Sequence, residues 1–398
     1  MTGLRSISVL ALALGLVPSV RGADSGMDAG RLGLIPARLQ EFVDKGVFSG
    51  AVTLVARHGA VVALDTAGYQ EIETRKPMRP DTIVQVMSQT KSFTAVAAMM
   101  LVEEGRLELQ RPVQAYLPEF RGQLVEEKHA DGATLRHPPQ RPPTVWQLLC
   151  HTSGLPFLPA GQYSRINFTL DATLEDAVRV YGREPLHSEP GTRHVYSNMG
   201  IATVGRIVEV ISGVEYSRFV RERILAPLGM KDSFYFPPED KKGRIAMVYL
   251  HQDGKLALAR EKAQAGDPAN FRAGAKYPGP ELALYSTAPD LLRFYQMLAN
   301  GGTYGGRRYL SKQSIAAMTT DLTPERAGYG LGFTVRNGPQ SLFNLLSPGS
   351  FGHGGAFGTA AWVDPKNDLV MIFLGQMTDG TTDPARNALW QIAESAIQ

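Results

Sequence analysis

The sequence predicts an α+β protein in which an antiparallel sheet, flanked by helices, is built from both ends of the chain. A mainly helical region is inserted between the two parts of the sheet. A β-rich hairpin pattern occupies residues 51–64, strand patterns return over residues 329–374, and the segments between them have helical periodicity. We therefore expect a sheet domain of residues 23–87 and 275–398 and a mainly helical domain of residues 88–274.

Residues 1–22 have the features of a secretory signal peptide. Arg5 gives a short basic start, and residues 7–17 form an apolar core. Pro18 then breaks the core, and the small residue Gly22 suits the position before a cleavage point. The core is too short to span a bilayer, and no later apolar run is long enough. We expect an exported protein, periplasmic or secreted, with no stable membrane span after cleavage.

Composition and charge narrow the classes of partner. The chain has 398 residues, 43% hydrophobic and 20% charged, which is ordinary for a soluble protein with a large core. Its net charge is +3, and loss of Arg5 and Arg21 with the signal peptide would leave +1. Such scattered charge argues against nucleic acid or another polyanion as partner. The single cysteine, Cys150, excludes an intrachain disulfide, and we interpret it as buried and structural rather than as half of a dyad with His151.

The other periodic segments are assigned in chain order. Residues 35–45 predict an amphipathic helix, and residues 51–57 and 60–64 predict a hairpin with a two-residue turn. Residues 121–143 are polar and proline-rich, which predicts a long surface loop without a metal site. Further helices are predicted at about 144–154, 174–181, 199–212, 216–225 and from 383 onward, and strands at 329–335, 359–363 and 369–374.

An S-x-x-K motif, formed by Ser88 and Lys91, is the strongest chemical signal. It follows an apolar approach segment, residues 83–87, and opens a predicted helix that runs to about Glu104. At this spacing the two side chains share one helix face. A hydroxyl at a helix N-terminus lies beside unpaired N–H groups, and a neighbouring amine can organise its proton, as a nucleophile requires. Alone, so short a pattern is more often a helix cap followed by a solvated lysine.

Two later stretches also carry chemical groups. In the extended segment before the helix at 199, Tyr196 and Asn198 point the same way, so a phenol and an amide are presented together. The alternative is a buried tyrosine beside an asparagine cap. The second stretch is His353, Gly354 and Gly355, where glycines permit close approach of a substrate or another backbone. The alternative there is a glycine-rich turn with a solvated histidine.

Together these stretches resemble the motifs of the serine β-lactamase and penicillin-binding-protein superfamily. They are most similar to its class C β-lactamase-like branch, which includes family VIII carboxylesterases and D-alanyl-D-alanine carboxypeptidases. That branch has S-x-x-K, then Y-x-N, then Lys-Thr-Gly or His-x-Gly, found here at residues 88–91, 196–198 and 353–355. The resemblance covers nearly the whole mature chain and implies a β-lactamase-like fold.

The resemblance also implies roles for individual residues. Ser88 would attack a carbonyl and form an acyl-enzyme, and either Lys91 or Tyr196 would be the general base, an alternative that stays open. Asn198 would hold the carbonyl side of the substrate and the Lys91 ammonium. The main-chain N–H groups of Ser88 and Ala356 would form the oxyanion hole. No metal or organic cofactor is implied.

The third motif, which the resemblance implies in substrate binding, departs from the β-lactamase pattern. His353 stands before Gly354 and Gly355 where β-lactamases usually have a lysine that binds the substrate carboxylate. A histidine with a pKa near about 6.5 is largely neutral at pH 7, which favours uncharged esters. A second departure lies at residues 278–282, where members of that family often have a run of glycines near the cleft. This chain has two prolines and Glu281 there.

The sequence thus predicts an exported serine hydrolase with a small-molecule ester or amide substrate. A carboxylesterase acting on small or medium acyl esters is the first hypothesis. A β-lactamase or D-alanyl-D-alanine carboxypeptidase is the second. A penicillin-binding sensor that acylates without turnover is the third. The sequence does not predict the oligomeric state.

Overall fold

The computed structural model of the protein describes residues 25–128, 132–164, 166, 171–259, 274–338 and 345–398. The predicted signal peptide, residues 1–22, lies outside these ranges. Within them, no helix combines the length and the apolar character that a membrane crossing requires.

Along the chain, most of the described helices come between the early and the late strands of the large sheet. They are α1 (Ala29–Leu32), α2 (Leu34–Asp44), α3 (Thr90–Glu103), α4 (Val145–Leu149), α5 (Leu174–Tyr181), α6 (Asn198–Ser212), α7 (Tyr216–Val220), α8 (Glu239–Lys242), α9 (Ala288–Ala299), α10 (Lys312–Met318) and α11 (Asp383–Ser395).

The described strands fall into one large sheet and several short pairs. They are β1 (Gly50–Arg57), β2 (Ala60–Glu71), β3 (Lys76–Pro77), β4 (Val84–Gln85), β5 (Val125–Lys128), β6 (Thr134–His137), β7 (Tyr249–Gln252), β8 (Lys255–Leu258), β9 (Tyr285–Ser286), β10 (Thr303–Tyr304), β11 (Arg307–Arg308), β12 (Thr334–Val335), β13 (Phe351–Gly355), β14 (Thr359–Asp364) and β15 (Leu369–Leu374).

The large sheet has the strand order β12-β13-β14-β15-β1-β2-β3, and all its neighbours are antiparallel. Its centre is the pairing of β1 with β15, in register from Val52 opposite Leu374 to Arg57 opposite Leu369. Early and late parts of the chain therefore meet in one sheet. This topology confirms the predicted α+β class.

Both faces of the sheet are buried, which explains the continuous apolar run of β15. Alternate residues point to opposite faces of a strand. Met371 and Phe373 belong to the apolar cluster that includes helices α2 and α11, whereas Val370 and Ile372 belong to the cluster that includes α3, α6 and α9. The cluster that contains Val370 and Ile372 continues into the helical region and lies beneath the candidate site. The division into two domains stays a prediction.

Two segments differ from the sequence prediction. Of the strand expected at residues 329–335, only Thr334–Val335 forms a strand. The chain turns back at Gly332, which has φ +76°, so that Tyr329 forms an isolated bridge with Thr334. The expected loop at residues 121–143 contains the β5–β6 hairpin. Its strands carry mainly polar residues, so no apolar alternation marked them in the sequence.

Candidate active site

Ser88 lies on a tight turn between strand β4 and helix α3. A 3-10 turn at Met87–Gln89 precedes Thr90, the first residue of α3, so Ser88 stands just before the helix that it was predicted to open. Met87 has φ +51°, a left-handed conformation that costs a non-glycine residue of order 1 kcal/mol or more. Burial of Met87 and a 2.6 Å hydrogen bond from Thr90 Oγ1 to its carbonyl hold the turn. Ser88 itself is left partly exposed.

The Lys91 side chain is fully buried beside Ser88. Its Nζ donates to Ser88 Oγ at 2.9 Å and to the main-chain carbonyl of Glu281 at 2.8 Å. Burial lowers the pKa of Lys91 to about 7, and the negative charge of Glu281 opposes this effect. A large share of Lys91 is therefore neutral amine at pH 7, which can accept the Ser88 proton. The alternative of a solvated lysine is wrong.

Tyr196 completes a cluster of three polar side chains. Its phenol lies close enough to Ser88 for the serine to influence its pKa, and Lys91 Nζ lies 4.9 Å from the centre of its ring. Burial raises the pKa of Tyr196 well above its ordinary value, so the phenol keeps its proton at neutral pH. The three predicted catalytic side chains thus lie together, with one group suited to accept a proton and one suited to donate it. Their roles in catalysis stay predictions.

Asn198 is the first residue of helix α6 and is nearly buried. Ser197 Oγ accepts from the Gly200 N–H at 3.0 Å and caps the helix, which is the role that the sequence left open for Asn198. The side-chain Oδ1 of Asn198 accepts no hydrogen bond from the described residues. The expected hydrogen bond from Lys91 to this oxygen is therefore absent, and the Lys91 amine donates instead to Ser88 and to the Glu281 carbonyl.

Strand β13 carries the third motif against the turn of Ser88. A Cβ on Gly355 would lie 2.2 Å from the Val86 carbonyl and 2.3 Å from Thr359 Oγ1, so only glycine allows the two segments to lie this close. Thr359 Oγ1 donates to the same Val86 carbonyl at 2.8 Å. Ala356, the expected second oxyanion donor, follows the end of the strand and is exposed.

His353 is buried, with both ring nitrogens hydrogen-bonded. The carbonyl of Gly354, 2.6 Å from Nδ1, can only accept, so Nδ1 carries the proton. Nε2 then accepts from the Tyr329 hydroxyl at 2.8 Å. Burial and the Lys91 charge lower the pKa of His353 to about 3, so the ring is neutral. The alternative of a solvated histidine is wrong.

His151 and Tyr329 were not predicted as site residues, yet both lie against Tyr196. The centre of the His151 ring is 4.3 Å from that of Tyr196 and 4.6 Å from that of Tyr329. His151 Nδ1 accepts from the Ser197 N–H at 3.1 Å, and burial holds its pKa well below the usual range. Neighbouring Cys150 is buried with a pKa raised to about 12, so it is no thiolate. The sequence drew attention to His151 only as a neighbour of Cys150, because its packing against Tyr196 depends on contacts distant in sequence.

The second departure noted in the sequence lies directly beside Lys91. Besides the Glu281 carbonyl that accepts from Lys91, the Pro280 carbonyl accepts from Thr94 Oγ1 at 2.6 Å. The segment is therefore bound to helix α3, and its acidic residue is fully buried.

With the geometry described, comparison with known proteins decides the family. The profile of the Beta-lactamase family matches residues 35–395. The chain belongs to the Beta-lactamase family. Its fold is β-lactamase-like and its class is serine hydrolase, within the superfamily of serine β-lactamases and penicillin-binding proteins, as predicted.

Individual relatives of this Beta-lactamase family member have different descriptions. Protein Rv1367c of Mycobacterium tuberculosis is 33% identical over 373 residues, which cover 85% of this chain and 88% of that protein. A Salmonella typhi protein named "Putative D-alanyl-D-alanine carboxypeptidase" is 27% identical over 396 residues, covering 93% and 88%. The solved structure of EstCE1, described as a hydrolase with promiscuous acyltransferase activity, has a TM-score of 0.78 at 24% identity, covering 93% and 99%. At that identity the likeness concerns the fold alone.

Proposed function

We propose that the protein is an exported serine carboxylesterase that hydrolyses small or medium acyl esters through an acyl-enzyme on Ser88. One observation carries the proposal. Ser88 is partly exposed, its Oγ lies 2.9 Å from the buried amine of Lys91, and the Tyr196 phenol is near enough for Ser88 to influence its pKa. A nucleophile, a base with a pKa near 7 and a proton donor are the groups that acyl transfer requires.

In the acylation step, neutral Lys91 takes the Ser88 proton as Oγ attacks the ester carbonyl carbon. The N–H groups of Ser88 and Ala356 stabilise the resulting oxyanion. When the tetrahedral intermediate collapses, the carbon–oxygen bond to the alcohol breaks, and the proton passes to the alkoxide, with the Tyr196 phenol as relay. The Asn198 amide helps to orient the substrate, the role that the family resemblance implies for it.

In deacylation, water replaces the alcohol. Its proton passes to the Lys91 amine as its oxygen attacks the acyl carbon, and the ester bond to Ser88 breaks. Ser88 Oγ recovers the proton, and the carboxylic acid leaves. The step needs no redox partner, because it moves protons and electron pairs only.

Preference for uncharged esters rests on the third motif. His353 is neutral, and its ring nitrogens are engaged by Gly354 and Tyr329, so this position offers no fixed cation to a substrate carboxylate. β-Lactams and D-alanyl-D-alanine peptides carry such a carboxylate. We therefore place esters first.

A D-alanyl-D-alanine carboxypeptidase is the second candidate, favoured by the name of the Salmonella relative, which aligns with 93% of this chain. Wild-type and Ser88→Ala protein, incubated with p-nitrophenyl butyrate, nitrocefin and a D-alanyl-D-alanine peptide, distinguish the candidates. Fast ester turnover with little cleavage of the others, absent in the variant, supports the esterase. If the peptide or nitrocefin is cleaved faster than the ester, the carboxypeptidase or β-lactamase becomes the first candidate in place of the esterase. A stable penicillin adduct without turnover would indicate a sensor.

Export is tested separately by N-terminal sequencing of protein from a fractionated host. A mature form that begins at about residue 23 in the exported fraction supports the proposal. Retention of residues 1–22 on cytoplasmic protein would contradict it.

A further inference from the structure

Glu281 is a fully buried acidic residue beside the candidate active site. The Tyr277 hydroxyl lies 3.1 Å from one carboxylate oxygen and 3.0 Å from the other, and donates to the carboxylate. Burial of a carboxylate is costly unless hydrogen bonds and an opposite charge compensate it. The Lys91 amine, bound to the carbonyl of the same residue, is such a charge.

Helix α3 fixes the main chain on both sides of Glu281. Thr94 Oγ1 donates to the Pro280 carbonyl at 2.6 Å, and Thr90 Oγ1 accepts from the Leu284 N–H at 3.2 Å. Thr94 lies one helical turn after both Thr90 and Lys91, so it shares a face with each of them. The position of Glu281 relative to Lys91 is therefore set by several bonds, not by one.

Few other ionisable groups act on Lys91. Those that face it are Ser88 on its own turn, Tyr196 before α6, His151 after α4, His353 on β13, and Glu281. Burial keeps the two histidines and the tyrosine neutral, since it lowers the pKa of both imidazoles and raises that of the phenol. Glu281 is the one carboxylate among these described groups.

We propose that Glu281 is a positioning residue for Lys91, whose carbonyl directs the amine at Ser88 and whose buried carboxylate stabilises the ammonium that forms when Lys91 takes the serine proton. The inference rests on the acyl-enzyme part of the proposed function and not on ester preference. The proton moves from Ser88 Oγ to Lys91 Nζ and on to the leaving oxygen, so none is gained or lost.

Charge removal at Glu281 tests the proposal. The negative charge of Glu281 raises the pKa of Lys91, and a nearby opposite charge typically shifts a pKa by about 1–3 units. In Glu281→Gln, which keeps an oxygen for Tyr277, we expect the acid limb of the pH–rate profile to move down by about one pH unit. The plateau rate should fall severalfold, because a less basic amine is a weaker general base.

Two readouts separate this inference from the proposed substrate. Labelling of Ser88 by a fluorophosphonate measures nucleophile activation at each pH, and kcat/KM for p-nitrophenyl butyrate measures ester hydrolysis. If wild-type protein is labelled but does not hydrolyse the ester, the proposed substrate is wrong, and the labelling profile still tests Glu281.

Matched variants complete the experiment. Glu394→Gln changes another buried glutamate, on helix α11 across the sheet, and should leave the acid limb of the pH–rate profile at its wild-type pH. Glu281→Asp retains the charge and should return the limb toward its wild-type position. If Glu281→Gln does not fold, Glu281→Ala, which keeps the carbonyl, should show the same downward shift. An acid limb that stays at the wild-type pH in a folded, charge-free variant overturns the proposal.

Discussion

The pH dependence of acylation is the most direct test of Lys91 as the base. A lysine with its ordinary pKa of 10.5 would be neutral in only about one molecule in three thousand at pH 7. Burial, which lowers this pKa to about 7, brings the neutral share to about one half. The neutral share is then about one tenth at pH 6 and about nine tenths at pH 8. We expect kcat/KM to rise about tenfold per pH unit below pH 6, about fivefold between pH 6 and 7, and to level off above about pH 8.

Hydrolysis of p-nitrophenyl butyrate between pH 5 and 9, corrected for spontaneous cleavage, measures this limb, and a melting temperature at each pH shows whether the protein stays folded. Lys91→Arg is the matched variant, because its guanidinium stays charged and cannot accept a proton. It should lose activity by about 10²-fold or more over the whole range. A rate that still rises tenfold per pH unit up to pH 9, or a flat profile in folded protein, would refute Lys91 as a base with a lowered pKa.

Two further predictions concern stability. Gly355→Ala should lower the free energy of unfolding by about 1–3 kcal/mol in urea titrations, because its Cβ would lie 2.2 Å from the Val86 carbonyl. Gly354→Ala, whose Cβ would meet nothing nearer than 3.7 Å, is its control, and equal losses would contradict the packing argument. Burial and Asp364 raise the pKa of Glu394 to about 8, so its carboxyl binds an extra proton in the folded state, and the contribution of Glu394 to stability, measured as wild type minus Glu394→Gln, should fall by about 1.4 kcal/mol per pH unit from about 5 to 8. A difference that stays constant over this pH range would contradict the assignment.

The helices and strands whose apolar residues recur at a regular spacing were predictable from the sequence. Helix α2 and strands β1, β14 and β15 lie within a few residues of their expected bounds, because each buries an apolar face that its own sequence displays. Strand β2 begins at Ala60 as expected but runs to Glu71, seven residues beyond its expected end at residue 64. The helix stop at Gly213, with φ +72°, is local chemistry of the same kind. The β5–β6 hairpin was missed because its polar strands display no such face.

In the candidate site, sequence motifs predicted which polar groups meet but not what surrounds them. Ser88, Lys91 and Tyr196 carry recognisable spacings. The positive φ of Met87 is not predictable, since it is imposed by contacts with distant segments. The same holds for Glu281, whose approach to Lys91 joins residues 190 positions apart.

The central strand pairing has a consequence for how the protein is made. Val52 of β1 lies opposite Leu374 of β15, so the middle of the sheet joins segments that leave the ribosome roughly 320 residues apart. At about 5–20 residues per second, the β1–β2 hairpin waits tens of seconds with one edge unpaired. An open apolar edge is a template for pairing with other chains. Among the strands of the large sheet, the last to be synthesised is the one that closes its centre.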